Sequence, residues 1–221
     1  MAAQRSRTGP LAAMAPGPRL PRSFYARPVL EVARDCIGCL LVREGAEGVV
    51  AGRIVEAEAY RGPEDRAAHS FGGRRTARTE AMFGEAGRVY VFFVYGMHWQ
   101  LNLVTGGVGE PHAVLLRAVE PVLGLDLMAA RRQMSAGRRE LTNGPGKLCQ
   151  AFAVGAGDYG LDLCGAGDLC LAEPPRPTKV ARAPRVGVDY AGTWAARPWR
   201  YFEPGNPYVS RAPRATLVRR R

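Results

Sequence analysis

Lysine is nearly missing from this chain. Of its 31 Lys and Arg residues only Lys147 and Lys179 are lysine, so a reaction through a Schiff base on a protein amine has few candidates. Neither lies near the carboxylate-rich segment described below. Cysteine is also scarce: the five present, without an apolar run long enough for an export signal, fit a reducing compartment rather than a disulfide framework. Cys36 and Cys39 have redox or zinc spacing, but Cys164 and Cys170 supply no matching pair, so no metal is expected. Arg or Gly interrupts every apolar stretch, and no segment approaches a membrane span. Acidic residues are absent from both ends. Up to Pro28 there are five arginines and no acid, and after Glu203 five more and none, so the ends supply ten of the net +11. The central part is nearly neutral and must meet an anionic partner through local patches, with Arg74, Arg75 and Arg78 as one candidate and Arg131, Arg132, Arg138 and Arg139 as another. The excess of Arg over Lys suits phosphate recognition and equally suits a GC-rich genome.

What the chain does have is concentrated between Glu56 and Asn102. Val55, Ala57 and Ala59 alternate with Glu56, Glu58 and Tyr60, the period of a strand, so both carboxylates and the Tyr ring share one face, the one ordinarily wet. Gly62-Pro63-Glu64-Asp65 turns the chain and brings His69 back towards the strand end. Glu58, Tyr60 and His69 are therefore expected to line one pocket. A second stretch reads as a β-hairpin: Arg88 to Val94 is rich in β-branched and aromatic residues, Tyr95-Gly96-Met97-His98 turns, and Trp99 to Val104 returns. Its tip presents Tyr95 and Met97, which suits a wedge between stacked bases.

Four strings, VEAEAYRGPEDRAAHS, VYVFFVYGMHWQLN, AVLLRAVEP and NGPGKLCQAF, together resemble the alkyladenine (3-methyladenine, methylpurine) DNA glycosylase family, in order and from about Leu30 to about Val209. The resemblance implies a monofunctional base-excision repair enzyme that flips damaged purines out of duplex DNA and hydrolyses the N-glycosidic bond, leaving an abasic site. It implies Glu58 as the base that activates water and Arg117 as the residue that helps hold that water. It implies Tyr60 and His69 as the rings that sandwich the base, Asn102 as the residue that crowds the amino group of guanine, and Tyr95 as the intercalating residue with Met97 beside it. Phe92 stands where the family has a third pocket tyrosine, so the hydroxyl is lost and the lesion range is put in question. Taken singly, each also has an ordinary explanation: a core tyrosine, a surface histidine, an Asn capping a loop, an Arg in a structural ion pair.

The chemistry requires one carboxylate. Water attack at the anomeric carbon passes through an oxocarbenium-like state, which a carboxylate both feeds by deprotonating the water and stabilises by its charge. An N-alkylated purine such as 3-methyladenine or 7-methylguanine leaves already carrying positive charge and hardly needs an acid, whereas hypoxanthine or ethenoadenine would need one.

By the same resemblance the fold is α+β, a single domain around a curved, mainly antiparallel sheet with flanking helices and a protruding hairpin. The expected layout is a disordered basic arm over residues 1–22, a glycosylase domain over 23–210 and a basic tail over 211–221. Helices are expected at Pro28 to Cys36, Gly124 to Met134 and Pro145 to Val154, and strands at Leu40 to Arg43, Val49 to Tyr60, Asp168 to Leu171 and Arg185 to Val188, with Tyr201 to Val209 a loop. The expected partners are duplex DNA with a damaged purine and a water molecule, without cofactor or membrane, in a monomer of the cytoplasm and nucleoid of a bacterium or the nucleus of a eukaryote. Two other readings compete: a glycosylase with lyase activity, and a non-catalytic nucleic-acid binding module, which would have no use for the assembled pocket.

Overall fold

The computed structural model describes residues 17–210 and 216–218. Two short helices lead in, α1 (Arg22–Tyr25) and α2 (Val29–Asp35); α2 starts after Pro28 and buries Val29, Val32 and Ala33, the three- and four-residue spacing of one helix face. A hairpin of β1 (Leu40–Gly45) and β2 (Gly48–Tyr60) follows, then the hairpin β3 (Val89–Val94) and β4 (His98–Thr105), and the long strand β5 (His112–Leu123). Helices α3 (Leu125–Arg132) and α4 (Pro145–Ala151) come next, and β6 (Leu169–Ala172), β7 (Val180–Ala183), β8 (Arg200–Phe202) and β9 (Thr216–Val218) complete the chain.

Among the described residues nine strands join one antiparallel sheet in the order β3-β4-β5-β2-β8-β7-β9, with β1 branching from β2 and β6 pairing with β1. The thirteen-residue β2 is the hub. One edge pairs with β5; the other pairs first with β1 through residues 48–53 and then with β8 through residues 56–58. Register shifts against β5 flank Glu56, and such irregularities add local twist and curl the sheet. Helices α2 and α4 pack on the inner face, where Val32, Leu148 and Phe152 meet Ile54, Leu101, Leu116 and Val119. Each such side chain contributes about 1.5–3 kcal/mol by leaving water. The architecture is a single α+β domain, as the sequence predicts.

Several expectations are corrected. Alternation in β2 predicts a wet face, but every residue from Val50 to Ala59 is buried, so Glu56 and Glu58 stand at 0 % exposure and need partners. Residues 185–188 are not a strand. The strand lies earlier, at Val180–Ala183, because Arg185 turns inward to a buried ion pair and Gly187 takes φ 74°. Within the expected loop at 201–209, Tyr201 and Phe202 belong to β8. Of the expected arm, residues 1–16 lie outside the described residues, but 17–22 are held: Leu20 is buried, and Arg19 donates to the carbonyls of Gly165 (2.7 Å) and Gly167 (2.5 Å). In the expected tail, residues 216–218 pair with β7, and 211–215 and 219–221 lie outside the described residues.

Candidate active site

The site begins with two carboxylates one pleat apart on β2. Glu56 accepts from Arg117 Nε (2.9 Å), Arg200 Nε (2.7 Å), the Ser210 backbone N–H (2.7 Å) and Ser210 Oγ (3.0 Å). Three of these four bonds fall on Oε1 and one on Oε2. Glu58 is bound more sparingly: Oε1 accepts the Val186 backbone N–H (2.8 Å), and Oε2 accepts Tyr60 OH (2.9 Å) and Arg117 Nη1 (3.3 Å). A carboxylate has about four acceptor positions, so one remains on Glu58 for a water. Antiparallel pairing of β5 with β2 brings Arg117 across both carboxylates. Burial alone would lower the Arg117 pKa, but the charges of Glu58 and Glu56 outweigh it and raise it, so Arg117 is a fixed cation. Burial, and then Glu58, push the Tyr60 pKa well above its ordinary value, so its hydroxyl is held as a donor to Glu58.

Above this cluster opens a cavity of ≈ 470 Å³ whose walls include Tyr60, His69, Tyr90, Phe92, Asn102 and Arg117, a volume within the ordinary range for a small-ligand site. Glu58 itself does not line the cavity; it lies behind Tyr60 and Arg117, through which it touches it. Phe92 meets the His69 ring edge-on, with centroids 4.5 Å apart. His69 Nδ1 is 2.8 Å from Tyr90 OH. Although its outer edge meets solvent, desolvation of the ring lowers the His69 pKa to about 4, with Arg78 and Arg74 acting in the same direction, so it is neutral at physiological pH. Burial pushes Tyr90 up to about 12 against the opposing charge of Arg78, so it too stays protonated. Asn102 is 3 % exposed, and its Nδ2 donates to the Tyr90 carbonyl (3.0 Å), which fixes the amide.

Tyr95 stands at the cavity mouth on the tip of the β3–β4 hairpin, 83 % exposed. It adopts φ 54° and Gly96 φ 66°, with Met97 N–H donating to the Val94 carbonyl (3.2 Å). Paired positive φ values match the twist of a tight hairpin, but an aromatic residue there is strained, and such strain gathers at functional positions. Met97 is 67 % exposed and outside the cavity wall.

Three features escaped the sequence reading. Tyr90 sits two residues before Phe92 on β3 and so faces the same way, a signal that strand periodicity carries. Val186 contributes only a backbone N–H, to which residue identity is blind. The third is a lock: Arg185 and Asp65, both with fully buried side chains, join through Nη1–Oδ2 (2.5 Å) and Nη2–Oδ1 (2.9 Å), while the guanidinium lies 4.7 Å from the Tyr60 ring centroid and 5.2 Å from that of Trp199. It ties the turn leading to His69 onto the strand carrying Glu58 and Tyr60. Cys36 and Cys39 donate through Sγ to the Ala33 and Asp35 carbonyls. Lys147 Nζ donates to Asn143 Oδ1 (2.7 Å).

Comparison with known proteins adds the following. The family model described as Methylpurine-DNA glycosylase (MPG) matches residues 23–207. A protein of Methanocella arvoryzae is 49 % identical over 197 residues, spanning 89 % of this chain and 98 % of its own length. Proteins of Bacillus licheniformis and Bacillus subtilis are 50 % and 47 % identical over 192 residues, each spanning 87 % of this chain and 96 % of the relative. All three carry the name "Putative 3-methyladenine DNA glycosylase".

Proposed function

The chain belongs to the methylpurine-DNA glycosylase family, and from that premise we propose that it flips damaged purines into the aromatic cavity and cleaves their N-glycosidic bonds with a water activated by Glu58. The activity class is that of the family, a DNA-3-methyladenine glycosylase acting on DNA and water as a hydrolase of N-glycosyl bonds. The observation that carries the catalytic assignment is the difference between the two carboxylates. Glu56 is bound mostly away from the cavity, by Arg200 and Ser210 as well as Arg117, whereas the three donors to Glu58, from Tyr60, Val186 and Arg117, all belong to residues of the cavity wall.

On this reading Arg117, held by Glu56, is aimed at the water position and at Glu58. Tyr60 and the His69–Phe92 pair bracket the base, whose π-stacking favours electron-poor alkylated rings. Asn102, with its amide fixed by the Tyr90 carbonyl, crowds the position of a guanine amino group. Tyr95 enters the duplex where the nucleotide leaves, with Met97 pressing on the other strand; an apolar plug offsets part of an unstacking cost of a few kcal/mol. No acid is placed for the departing base among these groups, since His69 is neutral and Glu56 does not line the cavity. 3-Methyladenine and 7-methylguanine, which leave as neutral bases from a cationic nucleoside, are therefore the preferred substrates over hypoxanthine and ethenoadenine. The catalytic unit is residues 23–210, acting as a monomer.

The test is single-turnover excision from duplexes carrying each lesion, with and without alkali, by the parental protein and by Glu58→Gln. Breaks only after alkali, with excision lost by about 10²-fold or more in Glu58→Gln while lesion binding persists, support the assignment. Parental rates in a folded Glu58→Gln protein would remove Glu58 from the mechanism, and breaks without alkali would indicate a lyase.

A further inference from the structure

Beside the base cavity lies a second cleft of ≈ 350 Å³ that shares Ala67, His69 and Tyr190 with it and is otherwise lined mainly by Arg66, Phe71, Arg74 and Arg78. Arg75 is spent on Glu80 (2.6 Å), Arg131 on Glu47 (2.9 Å) and Arg138 on Glu140 (3.4 Å), whereas Arg66, Arg74 and Arg78 form no ion pair among the described residues. All three are exposed, and no acidic side chain lines the cleft. Arg66 lies over the half-exposed Phe71 ring (5.8 Å) and Arg78 over Phe92 (5.2 Å).

The frame that carries them is held by hydrogen bonds. Thr76 N–H donates to Thr79 Oγ1 (2.9 Å), Thr79 Oγ1 donates to the Arg74 carbonyl (3.1 Å), and Tyr159 OH reaches the Ala77 and Arg78 carbonyls (3.0 and 3.2 Å). At its start, Asp65 accepts the Ala67 N–H (3.0 Å) while paired to Arg185. Three cations converging on a fixed frame without a carboxylate make a site for an anion with several oxygens, and guanidinium forks match phosphate geometry. Alkylpurines released from the neighbouring cavity carry no anionic charge, so the cleft is not built for the product base.

We propose that this cleft binds a backbone phosphate of the damaged strand next to the extruded nucleotide, with Arg66 and Arg74 as its ligands and Phe71 as the apolar floor beneath the adjoining sugar. The inference rests on the reading of the larger cavity as the base site, because it is the shared wall of His69 and Tyr190 that places the phosphate beside the flipped base. Holding that phosphate anchors the strand beside the lesion while Tyr95 fills the gap left by the nucleotide.

The experiment pairs Arg66→Gln, Arg74→Gln and the double variant with lesion duplexes in which one phosphate at a time, on either side of the lesion, is replaced by a neutral methylphosphonate. Equilibrium affinity is read by fluorescence anisotropy over a salt series, and single-turnover excision at saturating enzyme. The expected result is a loss of affinity of roughly tenfold per arginine, a salt slope shallower by about 0.9 per lost contact, and a saturated excision rate within about twofold of the parent. At one methylphosphonate position the parental protein should lose affinity and the double variant lose little more. Additive losses at every position would overturn the proposal, because the arginines would then act as a diffuse field. Competition by millimolar inorganic phosphate without any position-specific effect would also overturn it, in favour of a free-anion site. Absence of excision by the parental protein would instead sink the catalytic reading, while the binding cycle would still read the cleft.

Discussion

Replacing Asp65 by Asn should lower the stability of the folded protein by about 3–5 kcal/mol, the usual cost of removing one partner of a buried ion pair. Both side chains are at 0 % exposure, and Asp65 occupies Nη1 and Nη2 of Arg185 together. The Arg185 Nε already lacks a hydrogen-bond partner among the described residues, so the guanidinium would keep only the Ala59 and Trp194 carbonyls (3.0 and 3.2 Å) and whatever the Asn oxygen offers. For a chain of this length each kcal/mol shifts the melting midpoint by about 2–4 °C, so the expected fall is about 6–20 °C. Urea unfolding followed by Trp fluorescence supplies the free energy. The double variant Asp65→Asn/Arg185→Met removes the stranded charge and should recover part of the loss, a coupling the double-mutant cycle reads directly. A single-variant loss below about 1 kcal/mol, or a double variant less stable than the sum of the singles, would refute the view that Arg185 depends on Asp65. Because the guanidinium backs the Tyr60 ring and Val186 next to it binds Glu58, excision by any folded Asp65→Asn protein should also fall.

Tyr95→Gly relieves a left-handed aromatic residue and should raise stability by about 1 kcal/mol in urea titration while weakening capture of lesion duplexes; a loss of stability would show that Tyr95 is packed rather than presented. The His69 ring should titrate near pH 4 by NMR, and Arg78→Gln should raise the midpoint because one of the opposing charges is removed. The sign for stability follows: with a folded pKa below the unfolded value near 6.5, the contribution of His69 is present above that value and is lost as pH falls towards 4. A midpoint near 6.5 would contradict the desolvation of His69 and the influence of Arg78 and Arg74. Phe92→Tyr restores a hydroxyl to the cavity wall and should change the ratio of excision rates between neutral and cationic lesions without altering the fold; an unchanged ratio in single-turnover assays would show that position 92 contacts no base edge.

Glu56 and Glu58 show how environment separates identical side chains. Both are buried, both lie on one face of β2, and both touch Arg117. Glu56 meets Arg200 of β8 and the segment at Ser210, whereas Glu58 meets Tyr60 and the Val186 N–H, both of residues that line the cavity. Arg117 links them, with one ion pair to each.

From the sequence alone came the secondary-structure elements whose signals are local: the alternation of β2, the hairpin around Tyr95-Gly96, the face of α2, and the proline that opens α4. Resemblance to the family's strings added Glu58, Tyr60, His69, Asn102 and Arg117 as candidates, and the structure brings the last four to one cavity wall with Glu58 behind them. Only the tertiary structure decided which charges are spent. Asp65 finds Arg185 120 residues away and Glu56 finds Ser210 at a separation of 154, distances over which no periodicity speaks. The same cause moved the strand from 185–188 to Val180–Ala183, since Arg185 is drawn inward by a partner the local pattern does not contain. It also split the run at 74–78, where Arg75 has its glutamate and its neighbours do not. Local pattern sets the type of each element, whereas the pairing of buried charge depends on which distant segments the curled sheet brings face to face.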